Sequence, residues 1–124
     1  EMCIRDRNVT SFTASDFGRT LTSNGDGSDH GWGGHHIVVG GAVKGRAFYG
    51  APPPVSVGNT NAPQDQWHVG QGRLLPSTSV DQYAATLARW FGVEPQQLGG
   101  ILPNLRQFGS SAYPLDLGFM GPSA

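Results

Sequence analysis

The clearest periodicity in the chain lies in its second half. Val80, Tyr83, Ala84, Leu87, Ala88 and Phe91 stand at i, i+3, i+4, i+7, i+8 and i+11, the stripe of one amphipathic helix. Ser79 and Gln82 have the spacing of a capping box, and Gly92 stands where a helix-ending glycine belongs. Earlier, residues 9–14 alternate Val9, Ser11 and Thr13 against Thr10, Phe12 and Ala14, and their β-branched content predicts a strand. Ile37-Val38-Val39, closed by Gly40-Gly41, predicts a short buried strand of the kind found inside parallel sheets. Ala47-Phe48-Tyr49, after the Lys44-Gly45 turn, predicts a small edge strand.

Between these elements the pattern fades. Residues 15–35 are polar and glycine-rich and read as one loop, too long for a mere connector. Residues 51–72, with Pro52-Pro53-Pro54, read as irregular and exposed. Glu94-Pro95 begins a turn, and residues 101–108 form a weak last segment. No internal repeat is visible. A strand, a loop, a strand and a helix make the tail end of an α/β unit. They cannot cover the helix stripe on both sides of a sheet, so the expected organisation is a fragment of a larger layered domain.

Composition sharpens that expectation. Hydrophobic residues make up 37% of the chain, with 19 glycines and 9 prolines, and ten of the glycines fall between Gly18 and Gly50. So much glycine in one stretch implies repeated turns or close passage of the backbone. The net charge is −1 and there is no basic run, which disfavours nucleic-acid and anionic-membrane partners. No apolar run has the length of a membrane span, and no charged region followed by an apolar one marks a signal peptide. Cys3 is the only cysteine, so neither an internal disulfide nor a thiolate metal cluster can form. Residues 1–7 have no alternation, helical period or turn chemistry and resemble translated adapter sequence. They are expected to be a non-native or disordered leader to residues 8–124.

Candidate chemistry concentrates in residues 27–36, Gly-Ser-Asp-His-Gly-Trp-Gly-Gly-His-His. Imidazole and carboxylate are ligands for zinc and similar cations, and flanking glycines let them converge. Asp29, His30, His35 and His36 are therefore candidate metal ligands, against the plainer alternative that His35 and His36 begin a strand and His30 lies on the surface. Asp16, in Ser15-Asp16-Phe17-Gly18-Arg19-Thr20, follows the first strand, where α/β proteins bind ligands and metals. Its plainer alternative is a turn cap paired with Arg19. His68 stands alone in a polar segment and reads as ordinary surface.

Four segments carry a resemblance: residues 12–20; Asp29-His30-Gly31-Trp32-Gly33-Gly34-His35-His36; Val38-Val39-Gly40-Gly41-Ala42-Val43-Lys44-Gly45; and residues 78–87. In order and spacing they resemble the end of the domain-of-unknown-function 1501 family, from Val9 to Phe119. The resemblance implies an exported bacterial protein, periplasmic or secreted, with a twin-arginine signal and roughly three to four times this length. That family resembles in turn the alkaline phosphatase and sulfatase superfamily, implying the C-terminal part of an incomplete three-layer α/β fold. In those enzymes a strand ends in Ser-Asp-His-Gly or Ser-Asp-Asn-Gly, whose two middle residues ligate metal. Asp16 matches the first of them, whereas Phe17 departs from the second; His30 matches a later ligand histidine. A rival registration places Asp29-His30 in the first slot, without a preceding strand.

Two functions follow from the resemblance. One is metal-assisted hydrolysis of a phosphate or sulfate ester, small or polymeric. There Asp16 and His30 ligate a divalent cation (zinc first among the candidates), with Asp29, His35 and His36 as further ligands or their supports. Arg19 binds an anionic oxygen of the substrate. The nucleophile then belongs to a missing N-terminal part of the same chain, and this fragment alone is inactive. The other function is a non-catalytic exported binding or assembly protein that retains the fold. Phe17 favours the second and the Asp-His-His loop the first.

Overall fold

The computed structural model describes residues 5–56, 58 and 60–122. Their strands are β1 (Thr10–Phe12), β2 (Gly18–Ser23), β3 (Ser28–Gly31) and β4 (Val38–Gly40). Two α-helices follow, α1 (Val80–Trp90) and α2 (Pro95–Ile101), and 3-10 turns lie at Asp6–Asn8, Pro63–Trp67 and Pro103–Gln107. The chain divides into two compact units, one of residues 1–12, 38–50 and 78–124, the other of residues 13–37 and 51–77. The mixture of helices and small sheets is compatible with a piece of an α/β protein.

In the first unit β1 and β4 pair antiparallel, Thr10 opposite Gly40 and Phe12 opposite Val38. The parallel, buried setting expected for Ile37-Val38-Val39 is corrected. In a ribbon of two strands successive side chains face opposite sides, and only one side has cover. Val38 is half-buried, while Ile37 and Val39 are 66% and 64% exposed. No strand forms at residues 47–49. Tyr49 is fixed instead by its hydroxyl, which donates to the Lys44 carbonyl at 2.8 Å, and by its ring against Phe119. Of the leader, residues 1–4 lie outside the described residues. The Asp6 carbonyl accepts from Gly41 N at 3.0 Å.

Helix α1 forms where the periodicity places it. Ser79 Oγ accepts from the backbone N–H groups of Asp81 and Gln82, and Gln82 Oε1 accepts from Ser79 N. These bonds satisfy donors that a helix start otherwise leaves unpaired. Gly92 ends the helix in the left-handed region, φ 106°. The face that is buried is not the apolar stripe, however. Gln82, Ala85 and Thr86 are buried, while Val80 and Phe91 are 67% and 83% exposed.

The cause is hydrogen bonding to the C-terminal segment. Gln82 Nε2 donates to the Pro114 carbonyl at 2.6 Å, and Leu117 N donates to Thr86 Oγ1 at 2.9 Å. Part of the stripe, Leu87, Ala88 and Phe91, instead lines an open apolar groove of about 420 Å³ with Val9, Phe12 and Val93.

Glu94-Pro95 starts α2 rather than an isolated turn. Proline suits the first helical position because its φ is preset and the missing N–H would have had no partner. Ala85, Leu98 and Leu105 form the core between α1, α2 and the last 3-10 turn. Beside them Phe12, Tyr83, Phe119 and Tyr49 make a row of ring contacts.

The second unit contains a hairpin where one long loop was expected. Strand β2 pairs antiparallel with β3, Gly18 opposite Gly31 and Ser23 opposite Ser28, with an irregular register between. The backbones pass so closely that a Cβ on Gly18 would lie 1.5 Å from the Gly33 carbonyl oxygen. Residues 51–72 are not uniformly irregular either: Pro63–Trp67 is a 3-10 turn with Asp65 buried, and His68 bridges to Leu74 across a tight turn.

Candidate functional site

All six candidate residues, Asp16, Arg19, Asp29, His30, His35 and His36, fall in the second unit. Its hairpin sets Arg19 on β2 directly opposite His30 on β3, where cross-strand side chains meet. The Phe17 ring stacks on the His30 imidazole with centroids 3.7 Å apart and planes 8° from parallel. The Arg19 guanidinium carbon lies 5.0 Å from the Phe17 centroid, within reach of the ring's negative face. Arg19 Nη1 also donates to the Ser28 carbonyl at 2.8 Å. Arginine, phenylalanine and histidine thus form one cluster on the hairpin, with Arg19 and His30 exposed and Phe17 half-buried.

The other candidates stand apart from a common centre. Asp29 Oδ1 accepts from Asn24 Nδ2 at 2.8 Å, and Asp29 N donates to Thr20 Oγ1 at 3.1 Å, which anchors it in the hairpin. His36 Nδ1 lies 3.4 Å from Thr13 Oγ1, and the same hydroxyl accepts from Ile37 N. His35 is exposed. Asp16 does not end a strand, because β1 stops at Phe12. It sits in an exposed turn where Ser15 Oγ donates to the Phe17 carbonyl at 2.8 Å. Among the described residues no three histidine, cysteine, aspartate or glutamate side chains gather as a cation-binding set. His30 and Arg19 are brought together, and the five ligand candidates are not.

Sequence reasoning missed two features. Phe17 was read as a departure from a ligand motif, whereas its ring orients His30. The i, i+2 spacing of Phe17, just before β2, and Arg19 within it was the available signal. The other is His68, which is half-buried, with Nδ1 2.6 Å from the Gly58 carbonyl and Nε2 accepting from Gly72 N at 2.8 Å. No sequence pattern marked it. Nearby, Asp65 accepts from the Ser56 and Thr60 hydroxyls and from Thr60 N. Those bonds, the Ser56 hydroxyl first, hold its carboxyl below the usual carboxylate range.

The profile of the family described as "Protein of unknown function (DUF1501)" matches residues 7–102. The chain belongs to this family. The DUF1501 match spans both units, contains every candidate residue, and ends just after α2. No curated protein and no solved structure matches the chain. Among the described residues no helix is long and apolar enough to cross a membrane.

Proposed function

We propose that this chain is the C-terminal part of an exported, alkaline-phosphatase-like α/β protein. In that protein the hairpin supplies part of a metal-dependent site for hydrolysing phosphate or sulfate esters. The observation that carries this reading is the Arg19–Phe17–His30 cluster. Stacking occupies a face of the imidazole, whereas a metal bond uses an in-plane nitrogen lone pair. Phe17 therefore fixes the direction of His30 without competing for its donor atoms. Arg19, with one N–H committed to Ser28, presents the remainder of a planar donor fork that suits the oxygens of a phosphate or sulfate.

The described residues supply no complete ligand set. His30, with Asp16 as the second candidate, is the contribution of this segment, and the other donors and the nucleophile come from elsewhere in the parent protein. When bound, such a cation stabilises negative charge developing on an ester oxygen. The second reading, a non-catalytic binding protein, is favoured by Phe17 itself, which replaces the second ligand residue in the motif that Ser15-Asp16-Phe17-Gly18 resembles.

The test is metal content per chain of the full gene product and of His30→Ala, together with turnover of p-nitrophenyl phosphate and p-nitrophenyl sulfate. Less metal in the variant, with an unchanged circular dichroism spectrum and ester turnover in the parent, is the expected result. Equal metal in both proteins removes His30 from the site. Metal without turnover of either ester selects the non-catalytic reading.

A further inference from the structure

We propose that His68 is a pH-sensitive latch that holds the 68–74 turn against the hairpin. This inference stands independently of the hydrolase reading. Its basis is the pair of bonds on the two ring nitrogens. Nε2 accepts the Gly72 N–H at 2.8 Å, so its lone pair points at a donor and it carries no proton. The proton of the neutral ring then sits on Nδ1, where the Gly58 carbonyl accepts it at 2.6 Å. Only the neutral ring, in this one tautomer, satisfies both partners. Protonation turns Nε2 from an acceptor into a donor facing another donor, and the Gly72 bond is lost.

The turn that shares this bond has a strained backbone. Gly70, Gln71 and Gly72 are all left-handed, with φ of 94°, 55° and 72°. For a glutamine that conformation is costly and persists only where its surroundings impose it. Within the turn Arg73 N donates to the Gly70 carbonyl and Val69 N to the Arg73 carbonyl. Its outward carbonyls bind β2: Leu21 N donates to Gly72 O at 2.9 Å and Thr22 Oγ1 to Gln71 O at 2.6 Å. The imidazole holds Gly72 by its N–H, while β2 holds Gly72 and Gln71 by their carbonyls. Losing the imidazole bond removes one of the bonds that fix Gly72 and weakens the hold of the turn on β2.

The Gly72 bond sets the sign of the response, and the charged groups on the packed elements are three. Asp65, on the preceding 3-10 turn, has its carboxyl held below the usual carboxylate range and is anionic. Arg73, in the turn itself, is tied to the Gln71 side chain, and Arg19, on β2, lies over the Phe17 ring. The latch is closed while Nε2 is unprotonated and opens when it takes up a proton. What loosens is the docking of β2, the strand that places Arg19 opposite His30.

Amide hydrogen exchange of the full-length protein, read by NMR and normalised to intrinsic rates, tests this. Protection of Gly72 and Leu21 should fall roughly tenfold or more between about pH 7.5 and about pH 5.5, while Ala85 in α1 stays constant. Ring nitrogen shifts should show Nε2 unprotonated at the higher pH. His68→Gln should abolish the pH step. Should that variant fail to fold, the wild-type measurements decide alone. Protection of Gly72 that is equal at both pH values, or a proton on Nε2 at the higher one, overturns the proposal.

Discussion

The two units of this chain are built by different forces. Among the described residues, all five buried apolar side chains (Ala42, Ala85, Leu98, Leu105 and Phe119) belong to the first. The second buries Gly18, Thr20, Gly31, Asp65 and Gly72, which offer almost no apolar area. Its order comes from side chains that bond the backbone: Arg19 to Ser28, Thr20 to Thr22 and Asp29, Thr22 to Gln71, His68 to Gly58 and Gly72. Burial is tolerant, because neighbours can relax around a missing methyl group. A hydrogen-bonded scaffold of glycines is not, because each bond has one geometry and each close approach has no slack. The candidate chemistry sits entirely on the intolerant unit, where hydrogen bonds direct Arg19 and Asp29 and ring stacking directs His30.

Gly18→Ala is the harshest test of that contrast. The added methyl group meets the Gly33 backbone at 1.5 Å, and only backbone movement can relieve it. A loss of about 4 kcal/mol or more is expected, placing the change in the extreme class of single substitutions. It should appear as lost exchange protection at Arg19 and His30. A variant with wild-type protection there would show that the hairpin is looser than described.

Leu98→Ala probes the other unit. Leu98 is 3% exposed and packs with Ala85 and Leu105. Its truncation should cost about 3 kcal/mol by urea titration, with hairpin protection unchanged if the units are held separately. Equal loss of protection in both would merge them into one cooperative body.

The third effect is a stabilisation that is full at neutral pH and is lost only in acid. Because the Asp65 carboxyl titrates below its ordinary range, the unfolded chain takes up a proton at higher pH than the folded one. Its contribution is complete above about pH 4 and lost as the pH falls through the folded-state value. A urea midpoint that drops in acid for the wild type and drops less for Asp65→Asn is expected. Parallel curves for the two proteins would contradict it.

Against these tests, what the sequence could disclose follows the same division. Helix α1 was legible because its stripe, capping box and terminal glycine all agree, and β1 because alternation survives without context. The buried face of α1 was not, since Gln82 and Thr86 are buried by bonds to Pro114 and Leu117, far along the chain. The hairpin was hidden for a related reason. Gly18 and Thr20 occupy the inward positions of β2, where a hydrophobic residue would have announced a strand. The gathering of the six candidate residues in one unit was visible as composition. The pairing of Arg19 with His30 depends on a strand register that glycine conceals.

Gln71 is a place where the handedness of amino acids works against the protein. Its φ of 55° suits a mirror-image residue better than the one translation can supply. Glycine would relieve the cost, but with Gly70 and Gly72 on either side it would make three in succession and enlarge the range of conformations lost on folding. Chemical synthesis escapes this choice. A chain carrying D-glutamine at position 71 accepts the turn without strain and leaves the unfolded state no freer than before.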